Sequence, residues 1–529
     1  SSSPSLLVWL MGDVMGQAER RSTKRRGRSS GSSATLANQL SWTQPRYVDP
    51  PLTPLSSDQI EAIHEASLDI LDSIGIMFLN DEALDILASA GCDVDRSTKI
   101  VKMDRQWVPE IIKTAPSQFT VTPRNSEHSL KIGEHYFNFG QVSSPPNVMD
   151  NDKGRRSGTR EDFQNLLRLS QAYNCIHFIG GYPVEPLDLH PAVRHLHCTY
   201  DKLCLTDKVL HGYSLGKERI EDVMEMVRIA SGLSHEAFDA SPHMFTNINS
   251  TSPLKHDYPM LDGAMRLARR GQPVVVTPFT LSGAMAPVTI VGAITQQNAE
   301  ALAAIALLQT VNPGAPVVYG AFTSNVDMKS GAPAFGTPEY VRAMQISGQM
   351  ARYYNLPLRT SNANAANAPD AQAIWESSFS LQACQQGWSN MIYHAAGWLE
   401  GGLTASFEKF VIDCEVLQQI IYTQQSIKID DEELALEAVR EVGHDGHFFG
   451  CSHTQDRYKS AYYSPLLSDW SNFESWEEAG AVWTHDRANH QFKQILHEYE
   501  PPHLDPAINE ELQEFVAKRI EEGGAPTDY

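Results

Sequence analysis

The chain has 529 residues, 42% hydrophobic and 20% charged, a globular composition that can bury one large barrel core or two to three smaller ones. Net charge is −22; residues 1–40 carry Arg20, Arg21, Lys24, Arg25, Arg26 and Arg28 against Asp13 and Glu19, which leaves the remaining body at −26. Such a body repels phosphate backbones and argues against nucleic acid as a partner, while seven cysteines without paired spacing read as free thiols in a cytoplasmic protein.

The first apolar run, SLLVWLMGDVMG, is too short to span a bilayer, and its basic residues follow it, the reverse of the order in a secretory signal. With the Ser/Arg/Gly-rich stretch 22–33 it reads as a disordered basic arm, 1–50, and no membrane is expected as a partner. From Ser56 the pattern is helical, with Ser57 as a cap and Ile60, Ile63, Leu68, Leu71 and Ile74 at helical spacing. A second helix, 81–90, ends at Gly91, and 119–123 and 128–139 alternate as strands around a polar turn. These elements make 51–135 an N-terminal α+β cap.

From Tyr136 the texture changes to short apolar runs, each ending in a Gly/Pro/Ser/Asn loop and followed by an amphipathic stretch. Strands are expected at 136–141, 175–180, 208–213, 244–249, 273–278, 316–322, 356–360 and 390–396. Helices are expected at 160–173, 191–204, 217–231, 259–271, 296–311, 338–355, 370–387 and 407–423. Eight such cycles over 136–429 predict an α/β fold of the (β/α)8 TIM-barrel type. The alternative, an open doubly wound sheet, wants a Gly-rich phosphate turn, and no GxGxxG follows any strand. Residues 430–529, with Trp470, Trp476 and Trp483, read as a C-terminal helical extension.

A barrel places its site in the loops after the strands. Here those loops hold few charges: Glu185, Asp327, Asp370 and Glu400 are the carboxylates, and Arg359 is the nearest cation. No His, Cys or carboxylate cluster has metal-ligand spacing, so a metal site is not expected. The sequence HDGHFFGCSH, with His444, His447, Cys451 and His453, matches no strong zinc spacing and reads as a loop. What remains is aromatic. Phe137, Phe139, Tyr182, Phe279, Phe322, Tyr393 and Trp398 all fall at or just past strand ends, either as ordinary packing or as a mouth whose ring faces attract a quaternary ammonium.

Four segments carry a specific resemblance: TPFTLSGAMAPVTIVGAITQQNAEALA (277–303), GGYPVEP (180–186), YGAFTSNVDMKSGAPAFGTPE (319–339) and HAAGWLEGGLTASFEKFVID (394–413). They resemble the trimethylamine methyltransferase family, and the resemblance runs from about Ser56 to the last helices. It implies a barrel that passes a methyl group from a methylamine or betaine to the Co(I) corrinoid (cobalamin) of a partner protein. The chain itself would bind no cofactor, and a homo-oligomer is expected. The family's archetype uses pyrrolysine in the loop after strand seven, whereas the matching stretch, 361–370, holds only standard residues. The chain is therefore similar to the branch acting on glycine betaine and related quaternary amines. A quaternary ammonium already leaves as a neutral amine, so such a site needs to hold the cation, point one methyl and exclude water.

Within that resemblance the expected cage is Tyr182, Phe322, Tyr393 and Trp398, and the expected carboxylate contacts are His394 and the amides of Asn362, Asn364 and Asn367. Each has a plainer alternative: His394 as a core histidine, the asparagines as turn formers. Glu400 either offsets the substrate's charge or favours a helix dipole. Arg359 either pairs with a betaine carboxylate or within the barrel. Three functions stay open on the residues alone. They are a corrinoid-dependent methyltransferase for a quaternary amine or for trimethylamine, a betaine-binding barrel without turnover, and a lyase using Lys329 or Glu185.

Overall fold

The computed structural model describes residues 34–527, so most of the expected basic arm, 1–33, lies outside the described residues. The chain is packed well before Pro51, where order was expected to begin. Leu36 and Tyr47 are buried, and the Tyr47 hydroxyl donates to Ser389 O at 2.6 Å. Its ring stacks between Phe137 and Trp388 at 4.5 and 5.8 Å. This stretch has no periodicity of its own because it takes its partners from the body it lies on.

The centre of the fold is parallel sheet. The strands, in chain order, are β1 Asn138–Phe139, β2 Phe178–Ile179, β3 Val209–Leu210, β4 Thr246–Ile248, β5 Val274–Val276, β6 Val317–Gly320, β7 Leu358–Ser361 and β8 Met391–Tyr393. Six form one curled parallel sheet in the order β4-β5-β6-β7-β8-β1, and β2 pairs with β3. Single parallel bridges, Gly140 to Phe178 and His211 to Phe245, lie at the two junctions between these sheets.

Helices alternate with the strands: α1 Arg160–Ala172, α2 Pro191–Leu205, α3 Lys217–Ala230, α4 Tyr258–Arg269, α5 Ile290–Val311, α6 Pro338–Tyr353, α7 Ala371–Gln386 and α8 Phe407–Thr423. Their starts are written in the sequence. Thr159 and Asp162 make a capping box on α1, Asp370 caps α7 and Ser406 caps α8. Pro191 and Pro338 open α2 and α6, where a missing N–H costs nothing. Helix α5 begins six residues before the expected 296 and is buried on nearly every side from Ala293 to Gln309. It lies between the sheet and the helices Ser57–Asp69 and Trp107–Ile112. Its Asn298 accepts from the Tyr319 hydroxyl and donates to Ser67 Oγ, both at 2.8 Å, which pins all three layers.

The hairpin Gln118–Val121/Leu130–Gly133 seals one end of the sheet's interior. Val121, Leu130 and Ile132 pack against Phe178, Val209 and Met391, the first residues of β2, β3 and β8. At the opposite end the loops after β1 and β8 join in a small rim sheet. Trp398–Leu399 pairs with Thr404–Ser406, and Thr404–Ser406 with Asn147–Asp150. Strand Ile76–Phe78 pairs with Lys255–His256 from the loop after β4, which stitches the N-terminal elements onto the sheet.

Helix Thr484–Glu498 packs on α8 with Phe492 stacked on Phe407 at 4.9 Å. Helix Pro506–Glu521 packs on α2 and α3. Between α8 and these helices, Ile427, Tyr462, Trp470 and Trp483 stay 67–88% exposed. Among the described residues no helix is long and apolar enough to cross a membrane. All seven cysteines are free.

Candidate active site

A cavity of ≈ 680 Å³ opens at the ends of the strands opposite the sealing hairpin. Its lining includes Tyr182, Phe279, Phe322, Arg359, Tyr393, His394 and Trp398. Arg359 lies on β7 itself and is 3% exposed. Among the described residues no carboxylate forms an ion pair with it, and its Nε has no hydrogen-bond partner. Its guanidinium rests on the Tyr393 ring at 4.1 Å and on the Phe322 ring at 5.4 Å. Burial pushes it down to about 10, which still leaves it charged at neutral pH.

The two histidines beside it are donors, as their other partners dictate. Ser143 N–H donates to His394 Nδ1 at 3.2 Å, so the neutral ring carries its proton on Nε2. That Nε2 lies 3.5 Å from Arg359 Nη2, so the two groups sit side by side at the cavity. Asn247 N–H donates to His211 Nε2 at 3.1 Å, which leaves an Nδ1–H that is buried and unpartnered. Burial, and Arg359 less strongly, hold His394 well below its usual range; burial does the same to His211, with Lys202 and Arg359 adding to it. Both rings are therefore neutral at physiological pH. His394 sits at φ +56°, a left-handed conformation that costs about 1–3 kcal/mol in a non-glycine residue and is found where a side chain must be aimed. The Tyr393 hydroxyl is buried without a partner as well. The deep end of the cavity is thus a nest of donors around one unneutralised cation, and it suits an anion.

The outer part is aromatic. Trp398 lies 4.3 Å from the His394 ring and 6.2 Å from Phe322, and Phe322 lies 5.1 Å from Phe279 (ring centroids). Trp398 Nε1 donates to Asn364 O at 2.9 Å, which fixes the indole. On the facing wall Tyr182 and Tyr213 meet edge to face at 4.5 Å. The acidic residue in the lining is Glu185, 3.5 Å from Arg194 and pushed up by burial.

Of the residues expected from sequence, the structure brings Tyr182, Phe322, Tyr393, His394 and Trp398 together on this cavity. Tyr393 contributes differently from expectation, because its ring supports Arg359 instead of facing a substrate cation. The three asparagines do not reach the cavity. Asn362 and Asn364 turn inward and donate to Ser377 Oγ at 3.1 and 3.2 Å, where they bind the loop to α7, and Asn367 is exposed. Glu400 is not free to offset a substrate's charge: both its oxygens accept from Arg155, and Thr404 donates to it as well. Phe137 and Phe139 are core residues, not mouth residues. Lys329 is exposed and absent from the lining. No group of three or more metal-ligating side chains occurs among the described residues.

Sequence reasoning missed His211, Tyr213 and Ser143. The structure ends β3 at Leu210, and His211 is the next residue. The expected strand, 208–213, ran on to Tyr213 and so hid the first three residues of the loop, His211, Gly212 and Tyr213.

The family model for trimethylamine methyltransferase (MTTB) matches residues 20–524. The glycine betaine methyltransferase of Desulfitobacterium hafniense strain Y51 is 36% identical over 471 residues, 89% of this chain and 98% of that one. The trimethylamine methyltransferase MttB of D. hafniense strain DSM 10664 / DCB-2 is 31% identical over 478 residues, covering 89% and 95% of the two chains. The proline betaine:corrinoid methyltransferase of Eubacterium limosum is 30% identical over 423 residues, 78% and 86%. The crystal structure of the Methanosarcina barkeri monomethylamine methyltransferase superposes with TM-score 0.48 at 10% identity, covering 90% and 89%. With a family model spanning nearly its whole length, the chain belongs to the trimethylamine methyltransferase family.

Proposed function

We propose that this protein is an enzyme that moves a methyl group from a betaine, a quaternary amine bearing a carboxylate, to the corrinoid of a partner protein. The observation that carries the reading is Arg359: a buried guanidinium with no acidic partner among the described residues, beside donors on His394 and His211. A substrate carboxylate would neutralise it and accept the orphaned hydrogen bonds. Burying such a charge without a partner is costly, so the site selects a ligand that brings one. The trimethylammonium head would then lie among Trp398, Phe279, Tyr182 and Tyr213, each well-placed ring contributing roughly 0.5–2 kcal/mol. Similarity to the glycine betaine and proline betaine enzymes supports the same reading.

The chemistry asks little more of this chain. The methyl–nitrogen bond breaks heterolytically, the electron pair stays on nitrogen, and a neutral tertiary amine remains. No acid is required, and the outer cavity offers none besides Glu185, which Arg194 pairs. The partner's corrinoid supplies the nucleophile. The protein holds the carboxylate, directs one methyl toward the mouth and excludes water. Trimethylamine has no group to meet Arg359, which counts against it as the substrate.

The bridges Gly140–Phe178 and His211–Phe245 fall where β1 would meet β2 and β3 would meet β4, which supports a closed eight-stranded barrel over 136–429, with 51–135 as its cap and 430–529 as its extension. Free cysteines support a cytoplasmic setting. The exposed aromatic residues between 427 and 483 support a homo-oligomer, and light scattering on the purified protein should return a mass above 58.7 kDa.

The direct test supplies glycine betaine, choline and trimethylamine with a reduced corrinoid protein, and follows dimethylglycine by mass and the corrinoid by its visible spectrum. Glycine betaine should be demethylated. Choline, with the same head and no carboxylate, should react at least about thirtyfold more slowly, from the roughly 2 kcal/mol or more that a buried charge-assisted contact contributes. Binding of betaine without turnover would make the barrel a binding module. Preference for choline or trimethylamine would overturn the reading.

A further inference from the structure

We propose that the segment 524–527 is a specificity-determining wall of the cavity, held in place by Arg519; the inference rests on the betaine reading above. Thr527 lines the cavity alongside Pro191 and His195 of α2, although it is more than 130 residues beyond β8. The segment is docked, not draped. Ala525 N–H donates to Ala192 O at 2.9 Å, in the first turn of α2, and Ala525 is 4% exposed. Gly524 has φ +71°, and a Cβ built there would lie 2.2 Å from Ala192 O, so the backbones touch where no side chain fits.

One chain of polar contacts joins this segment to the cavity. Arg519 Nη2 donates to Gly524 O at 3.1 Å. Its Nε donates to Asp222 Oδ1 at 2.7 Å. The other oxygen of Asp222 lies 2.8 Å from His195 Nε2. His195 is 4% exposed, lines the cavity and leaves its Nδ1 unpartnered. Arg519 therefore clamps the segment and, through Asp222, fixes the histidine beside it. Arg519 is a positioning residue; Thr527 and His195 form the surface a substrate meets.

This wall lies on the α2 side of the cavity, where Pro191, Arg194 and His195 of α2 and Glu185, 3.5 Å from Arg194, also line it. At ≈ 680 Å³ the cavity is in the range that holds drug-sized ligands, more than a small betaine fills. The spare room on that side is where a substituent on the betaine's carbon chain would lie, and the wall sets how large it can be.

The test changes the wall in both directions and compares glycine betaine with carnitine, a longer hydroxylated betaine, by kcat/KM. Gly524→Val and Arg519→Met unseat the segment. They should shift the ratio of the two substrates at least tenfold toward carnitine, mainly through KM, with Arg519→Lys partly restoring it. Thr527→Trp narrows the cavity without touching the anchor, and should shift the ratio at least tenfold toward glycine betaine. If the wild-type protein demethylates betaines and the ratio stays within threefold across all four variants, the wall has no role in selection and the inference is wrong. If the wild-type protein demethylates neither compound, the betaine reading itself has failed and takes this inference with it.

Discussion

Replacing Arg359 by Met is expected to abolish useful betaine turnover while leaving the fold at least as stable as before. Truncating one partner of a buried, hydrogen-bonded charge pair costs roughly 2–5 kcal/mol, a loss in kcat/KM of about thirtyfold to several thousandfold. Stability should move the other way. Arg359 is buried with no acid among the described residues to pair it, and a methionine of similar reach removes an uncompensated charge. Arg359→Lys keeps the charge but loses the planar fork lying on Tyr393, and should fall between the two. Betaine affinity should stay level from about pH 6 to pH 9, because His394 and His211 are neutral throughout and Arg359, pushed down to about 10, is still charged. An unchanged KM for glycine betaine in Arg359→Met would remove the carboxylate site from this part of the cavity.

The second large effect is on stability. Lys409 and Asp413 on α8 form a fully buried ion pair at 2.6 Å. Lys409 also donates to Ser377 Oγ at 2.8 Å, and Asp413 accepts from Gly397 N–H at 2.9 Å. The pair thus ties α7, α8 and the loop carrying Trp398 to one point. Burial pushes Lys409 down and Asp413 up, each against the pull of its partner, so neither charge is comfortable alone. Lys409→Met should cost about 3–5 kcal/mol by stranding the carboxylate. The double variant Lys409→Met/Asp413→Leu should recover most of that loss, short of the roughly 1–3 kcal/mol for the orphaned Gly397 N–H. Chemical denaturation of the two single variants and the double closes the cycle. Purely additive losses would show that the pair is not coupled.

The alternation of strand and helix was legible because its punctuation is local. Thr159, Asp370 and Ser406 cap helices, Pro191 and Pro338 open them, and apolar runs precede each loop. The small rim sheet was not legible, since a two-residue strand such as Trp398–Leu399 has no periodicity and exists only because Thr404–Ser406 lies beside it. The same limit governs the site. Trp398, Phe322 and His394 could be placed because they follow strands at the mouth. The asparagines could not, because a side chain that donates to Ser377 and one that lines a cavity look alike in a sequence. Arg359 was visible as the nearest cation to the loops. That no carboxylate among the described residues pairs with it is a fact about distant segments, and it is the observation on which the proposed ligand rests.

The hairpin packed on the first residues of β2, β3 and β8 covers that end of the sheet's interior, and the cavity opens at the other. Both reactants must use that opening. A small molecule anchored at the bottom by its carboxylate can be covered, but it cannot arrive once a protein partner is seated above it, nor can its demethylated remainder leave. On the proposed function the shape would set the order of events: betaine enters, partner docks, methyl passes, partner departs, amine escapes. On the proposed reaction, each turnover would therefore include one full cycle of association and separation between two proteins.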